Sequence, residues 1–95
     1  MSAAEKIQVV HNSAASRFEA KVQGELCVAD YRLHEGVVTF THTEVPPTLR
    51  GHGVAAALVR EALAWCAAQG HRVIPACSYV RAYIQRHAEL QPLLA

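Results

Sequence analysis

Charge of either sign is almost absent as a signal in this 95-residue chain. Nine Lys and Arg stand against eight Asp and Glu, a formal net charge of +1 with histidine neutral. No basic run interleaves with aromatic residues, so the electrostatic footprint of a nucleic-acid partner is missing. Long apolar runs are missing too. The small apolar residues of 54–59 and 62–68 are separated by Arg60 and Glu61, so no segment reads as a membrane span. Residues 1–6 lack the apolar core of a signal peptide. Cysteine is scarce: Cys27, Cys66 and Cys77 are odd in number and far apart. That spacing gives neither a disulfide framework nor a zinc site, and a reducing cytoplasm is the expected setting. The six histidines are scattered, with no pairing that suggests a metal. Linkers, repeats and low-complexity segments are likewise lacking.

What is present is enough apolar material for one core. Hydrophobic residues make up 52% of the chain and charged residues 18%, which excludes a disordered polymer. A chain of this length supports a single domain over 1–95. Alternating apolar and polar residues predict strands over 6–10, 18–22, 25–33 and 37–45. Turns are expected at 12–16, Gln23-Gly24 and 34–36. The period then changes to that of a helix over 54–68, with one stripe through Val54, Leu58, Ala62 and Trp65 and another through Ala55, Val59, Leu63 and Cys66. Gly70 fits the left-handed residue that ends a helix. A short strand follows at 71–76, then a helix over 79–87 capped by Ser78. The tail 89–94 is expected to pack back on the sheet. The fold class is therefore α/β (α+β): an antiparallel β-meander, then a β-α-β crossover whose two strands are parallel, then a C-terminal helix.

The densest chemical signal is Arg50-Gly51-His52-Gly53-Val54-Ala55-Ala56. It lies between a strand and a helix, after Val45-Pro46-Pro47. Two glycines leave the backbone bare, and the first amides of a helix have no internal partner. Such a turn can wrap a phosphate, with the positive end of the helix dipole behind it. Around it lie Phe40-Thr41-His42-Thr43-Glu44-Val45 and Val73-Ile74-Pro75-Ala76-Cys77-Ser78-Tyr79-Val80, followed by Tyr83-Ile84 and His87.

These stretches resemble the GNAT superfamily of N-acetyltransferases. The match is to its small single-domain branch, with a His-Thr-Glu-Val strand and a Cys after the next strand. The resemblance spans about residues 6–94 and is most specific over 39–87. It implies a GNAT-like fold in minimal form and acetyl-CoA (CoA) as cofactor. It also implies transfer of an acetyl group to an amine, on a small molecule or a protein. In the implied site the pyrophosphate lies on Arg50, Gly51, His52, Gly53, Val54, Ala55 and Ala56. Val45 lends its backbone to the pantetheine arm, and Ser78 and Tyr79 complete the cofactor contacts. Larger members wall the acceptor site with segments for which this chain has no room. Ser78 and Ala88 stand where the small branch often carries proline. An open pocket, a monomer or a homodimer, and the alternative of a non-catalytic acyl-CoA-binding module follow from these departures.

Several residues carry two readings each. Cys77 is either a packed thiol or a thiolate activated at a helix start. Cys27 and Cys66 read as core. His42 alternates with Phe40 and Glu44 on one strand face. It is either an edge histidine or a base that meets Cys77 or the acceptor amine, with Glu44 as the alternative base. Tyr79 and Tyr83 share a helix face. They either pack on the sheet or, by the resemblance, one of them returns a proton to the departing thiolate.

Overall fold

The computed structural model describes residues 7–95 of the chain. Five strands form one mixed sheet in the order β1-β2-β3-β4-β5. β1 is Val10–Asn12, β2 Arg17–Val22, β3 Glu25–His34, β4 Val37–Glu44 and β5 Arg72–Pro75; the helices are α1, Val54–Gln69, and α2, Ser78–Arg86. The first four strands are antiparallel neighbours. β4 and β5 are parallel, joined by the α1 crossover. No helix among the described residues is long and apolar enough to cross a membrane.

Most expected boundaries fall within a residue or two, and the differences have local causes. The first strand was expected over 6–10, of which Lys6 lies outside the described residues. The observed strand begins at Val10 and runs to Asn12, because it pairs with Arg17–Glu19 of β2. Asn12 then stops it: its side-chain carbonyl accepts the Ala15 amide at 3.2 Å and winds residues 13–15 into a 3-10 turn. The tail also winds into a 3-10 segment, Ala88–Leu93, before packing back. There Leu94 bridges Val73 and the Ala95 amide donates to the Val73 carbonyl at 2.9 Å.

The core lies between the sheet and the helices. From β2 and β3 come Phe18, Ala20, Cys27, Ala29 and Tyr31; from β4, Val38 and Phe40. α1 buries Val54, Leu58, Val59, Ala62, Leu63 and Cys66, the two predicted stripes with Trp65 and Ala55 only half-buried. α2 closes the other end with Val80, Tyr83 and Ile84.

Two irregularities of β4 position the site. The parallel pairing with β5 runs from Val37–Arg72 to Phe40–Pro75 and stops. The Cys77 amide still donates to the Phe40 carbonyl at 2.8 Å, after which the chain turns into α2. Residues 41–44 of β4 therefore continue without β5 beside them, and the two strands part. At the same level the pairing with β3 slips: Asp30 faces His42 while Tyr31 faces Phe40. Thr41 is the extra residue of a β-bulge.

Candidate active site

The loop between β4 and α1 is built to hold its shape. Pro46 and Pro47 end the strand, and Pro47–Leu49 form a 3-10 turn. Leu49 is fully buried and anchors the turn in the core. The Thr48 hydroxyl donates to Glu25 at 2.7 Å, tying the loop to the start of β3. Gly51 and Gly53 then adopt φ of 86° and 79°, the left-handed region where a side chain is strained. A Cβ placed on either would meet no protein atom within 4 Å. The space over both glycines is thus open, and backbone conformation alone demands them.

Gly53 is the N-cap of α1 and has no side chain to satisfy the helix start. Among the described residues, the amides of Gly51, Gly53, Val54, Ala55 and Ala56 find no backbone acceptor. Five unsatisfied N–H groups, interrupted only by His52, whose amide donates to the Leu49 carbonyl at 3.3 Å, stand at the positive end of a 16-residue helix and make an anion cradle. Arg50 adds a guanidinium beside it, its Nε donating to the Val45 carbonyl at 3.3 Å. This donor set fits a pyrophosphate.

A cleft of about 610 Å³ opens from that cradle toward the gap between β4 and β5. It is lined by the start of α1, by Tyr79 of α2 and by the end of β4 with His42, Thr43, Glu44 and Val45. The expected cofactor residues Arg50, Gly51, Gly53, Val54, Ala55 and Ala56 all line it. His52 and Ser78 are exposed and do not. Ser78 is also not the cap of α2: Cys77 holds the N-cap position, and Ser78 is the first helical residue.

The bulge corrects the expected face of His42. Cross-strand partners share a face. Tyr31 pairs with Phe40 and Ala29 with Thr43, whereas Asp30 pairs with His42 and Val28 with Glu44. Thr43 therefore lies on the core face with Phe40, and His42 and Glu44 lie on the other. The expected meeting of His42 with Cys77 is replaced by two separate pairs. His42 Nε2 donates to Glu44 Oε1 at 3.2 Å. The carboxylate accepts only, so in the neutral ring the free lone pair falls on His42 Nδ1. Thr43 Oγ1 lies 3.5 Å from Cys77 Sγ. Thr43 was not singled out in the sequence, and only the register with β3 reveals it.

Cys77 is partly exposed, while Cys27 and Cys66 are fully buried. Burial alone would push the Cys77 thiol up. The Thr43 hydroxyl beside the sulfur and the nearby backbone N–H dipoles of Val80, Tyr79 and Thr43 outweigh it and bring the thiol below its ordinary range. Burial pushes Cys66 up to about 12 and raises Cys27 as well. Iodoacetamide at neutral pH is therefore expected to label Cys77 first in the native protein. Peptide mapping by mass spectrometry checks this, and faster labelling of Cys27 or Cys66 would refute the assignment.

The two tyrosines divide. Tyr79 faces the cleft. Its phenol is raised by burial, with Arg86 opposing and Tyr83 adding to the shift, so it stays protonated at neutral pH. Tyr83 is 8% exposed and stacks on His87 with ring centres 4.1 Å apart. His87 Nδ1 donates to the Tyr83 carbonyl at 2.7 Å, so the pair serves to close the end of α2. Tyr83 does not line the cleft.

Among the described residues no group of His, Cys, Asp and Glu is arranged to hold a metal ion. A parted parallel strand pair, a bulged β4 and a glycine turn at the start of the crossover helix are thus combined in one small sheet. The family model for GCN5-related N-acetyl-transferase matches residues 17–93, from the first residue of β2 into the closing 3-10 segment, and the chain belongs to that family.

Proposed function

We propose that the protein transfers an acetyl group from acetyl-CoA to an amine. The observation that carries this reading is the left-handed Gly51–Gly53 turn, whose free amides open onto a cleft leading to the gap between β4 and β5. Acetyl-CoA supplies an acyl group already activated as a thioester. The amides of Gly51, Gly53 and residues 54–56 hold its pyrophosphate, with Arg50 beside them. The backbone of Val45, at the unpaired end of β4, receives the pantetheine arm as an added strand would be received. An N–H of the same strand end supports the oxyanion.

Proton handling divides between two groups that line the cleft. Glu44 holds the His42 ring through Nε2 and leaves Nδ1 as acceptor for the proton of an attacking amine. Tyr79, which lines the same cleft, keeps its phenolic proton for the sulfur that leaves. Fixing both reactants along one strand end provides much of the acceleration.

Calorimetry with CoA, followed by mass spectrometry of protein mixed with acetyl-CoA and a panel of amines, tests the reading. CoA binding together with an amine mass increased by one acetyl group is expected. Absence of CoA binding would refute the cofactor assignment, and binding with no acetylated amine would leave a non-catalytic acyl-CoA module.

A further inference from the structure

The gap between β4 and α2 is bridged by one side-chain pair, Thr43 and Cys77, at 3.5 Å. Both belong to the core side of the sheet, Thr43 by its register with Ala29 and Cys77 by its packing against the buried cluster. The thiol is seated at the N-cap of α2. We propose that Thr43 is the positioning residue for Cys77, its hydroxyl donating across the gap to hold the sulfur as an oriented nucleophile, and that His42 has no part in activating it. The bearing of this on acetyl transfer rests on the function proposed above; the arrangement of the sulfur does not.

The Thr43 hydroxyl meets Sγ directly at 3.5 Å, while the N–H groups of Val80, Tyr79 and Thr43 act on it as nearby dipoles, with no capping hydrogen bond from the helix start to the sulfur. All of them stabilise a thiolate, and none carries a titrating proton near neutral pH. The titratable neighbours are few. On β4, His42 and Glu44 lie on the opposite face and bond to each other. On α2, Tyr79 faces the cleft from the turn that Cys77 caps, and Arg81 and Arg86 are exposed. No charged side chain is among the groups that move the Cys77 thiol. Backbone and hydroxyl dipoles therefore set its reactivity, and the imidazole does not.

Threonine has the right shape for this task. Its β-branched side chain is stiff in a strand, so its hydroxyl is held toward the helix start at little entropic cost. Isosteric valine would keep the packing and remove the donor.

The rate of Cys77 alkylation as a function of pH, read by peptide mass spectrometry in the intact protein, tests the proposal. Thr43→Val and Thr43→Ala should move the midpoint up by about one pH unit, a roughly tenfold loss of reactivity on the rising limb. Thr43→Ser should restore most of the parent profile, and His42→Ala should leave it in place. Circular dichroism establishes that each variant is folded. A parent-like profile in folded Thr43→Val or Thr43→Ala overturns the proposal, as does a midpoint raised by His42→Ala as far as by Thr43→Val. Alkylation requires no acyl donor, so failure here is distinct from failure of the acetyltransferase reading, which the CoA and amine measurements judge separately.

Discussion

Replacing Gly53 with Asp is expected to weaken CoA binding by more than about tenfold, or about 1.4 kcal/mol. Two effects act in the same direction. Gly53 sits at φ 79°, where any side chain is strained, so the turn resists the conformation that aims its amides into the cleft. A carboxylate at the helix N-cap would also place negative charge in the cradle and offer its own oxygen to the orphan amides. The second effect makes the result specific, because aspartate is a good N-cap and is not expected to unfold α1. Calorimetric titration of folded Gly53→Asp with CoA checks this. An affinity equal to the parent's would remove the cradle from the proposed site. Gly53→Ala separates the contributions: it keeps the backbone strain, adds no charge, and should weaken binding less.

Truncation of Phe40 is expected to be the most damaging single change in the fold. Phe40 is 1% exposed and meets Tyr31 edge to face, with ring centres 6.2 Å apart. It pairs with Pro75 in the last rung before β4 and β5 separate, and its carbonyl holds the Cys77 amide. Phe40→Ala should cost about 3–5 kcal/mol through lost transfer energy and the cavity left behind. That is a large share of the ~5–15 kcal/mol that holds a small domain together. Urea denaturation of parent and variant measures it. A loss below about 1 kcal/mol would mean that the rung is not a keystone of the core.

The sequence made the turn chemistry and the periodicities readable, because both are local. Gly51 and Gly53 before an alanine-rich helix marked the cradle. Gly70 marked the end of α1, where it adopts φ 73°. The parallel pairing of β4 and β5 followed from a helix lying between two strands. Register between strands is not local. Strict alternation along 37–45 placed His42 with Phe40, and one extra residue at Thr41, visible only against β3, reversed the assignment beyond it. Thr43 is hidden for the same reason, whereas the N-cap position of Cys77 rests on its extended backbone, φ −76° and ψ 130°, with no side-chain cap bond to signal it. Tyr83 and Tyr79 looked equivalent by helical spacing. Their difference comes from His87, which covers Tyr83 by stacking after the chain has turned out of α2.

The bulge also governs how this site corresponds to that of any related chain. Because β4 changes parity at Thr41, positions before and after that residue obey different counting rules. A relation drawn from motif letters alone, without regard to the extra residue, would pair His42 with a side chain on the wrong side of the sheet. A strand of the same length paired with β3 by plain alternation, without the bulge, would set His42 opposite Ala29 and Thr43 opposite Val28, turning the histidine to the thiol and the threonine to the opposite face. Loss of the bulge at constant strand length would thus exchange the tuning group for the base with no substitution in either.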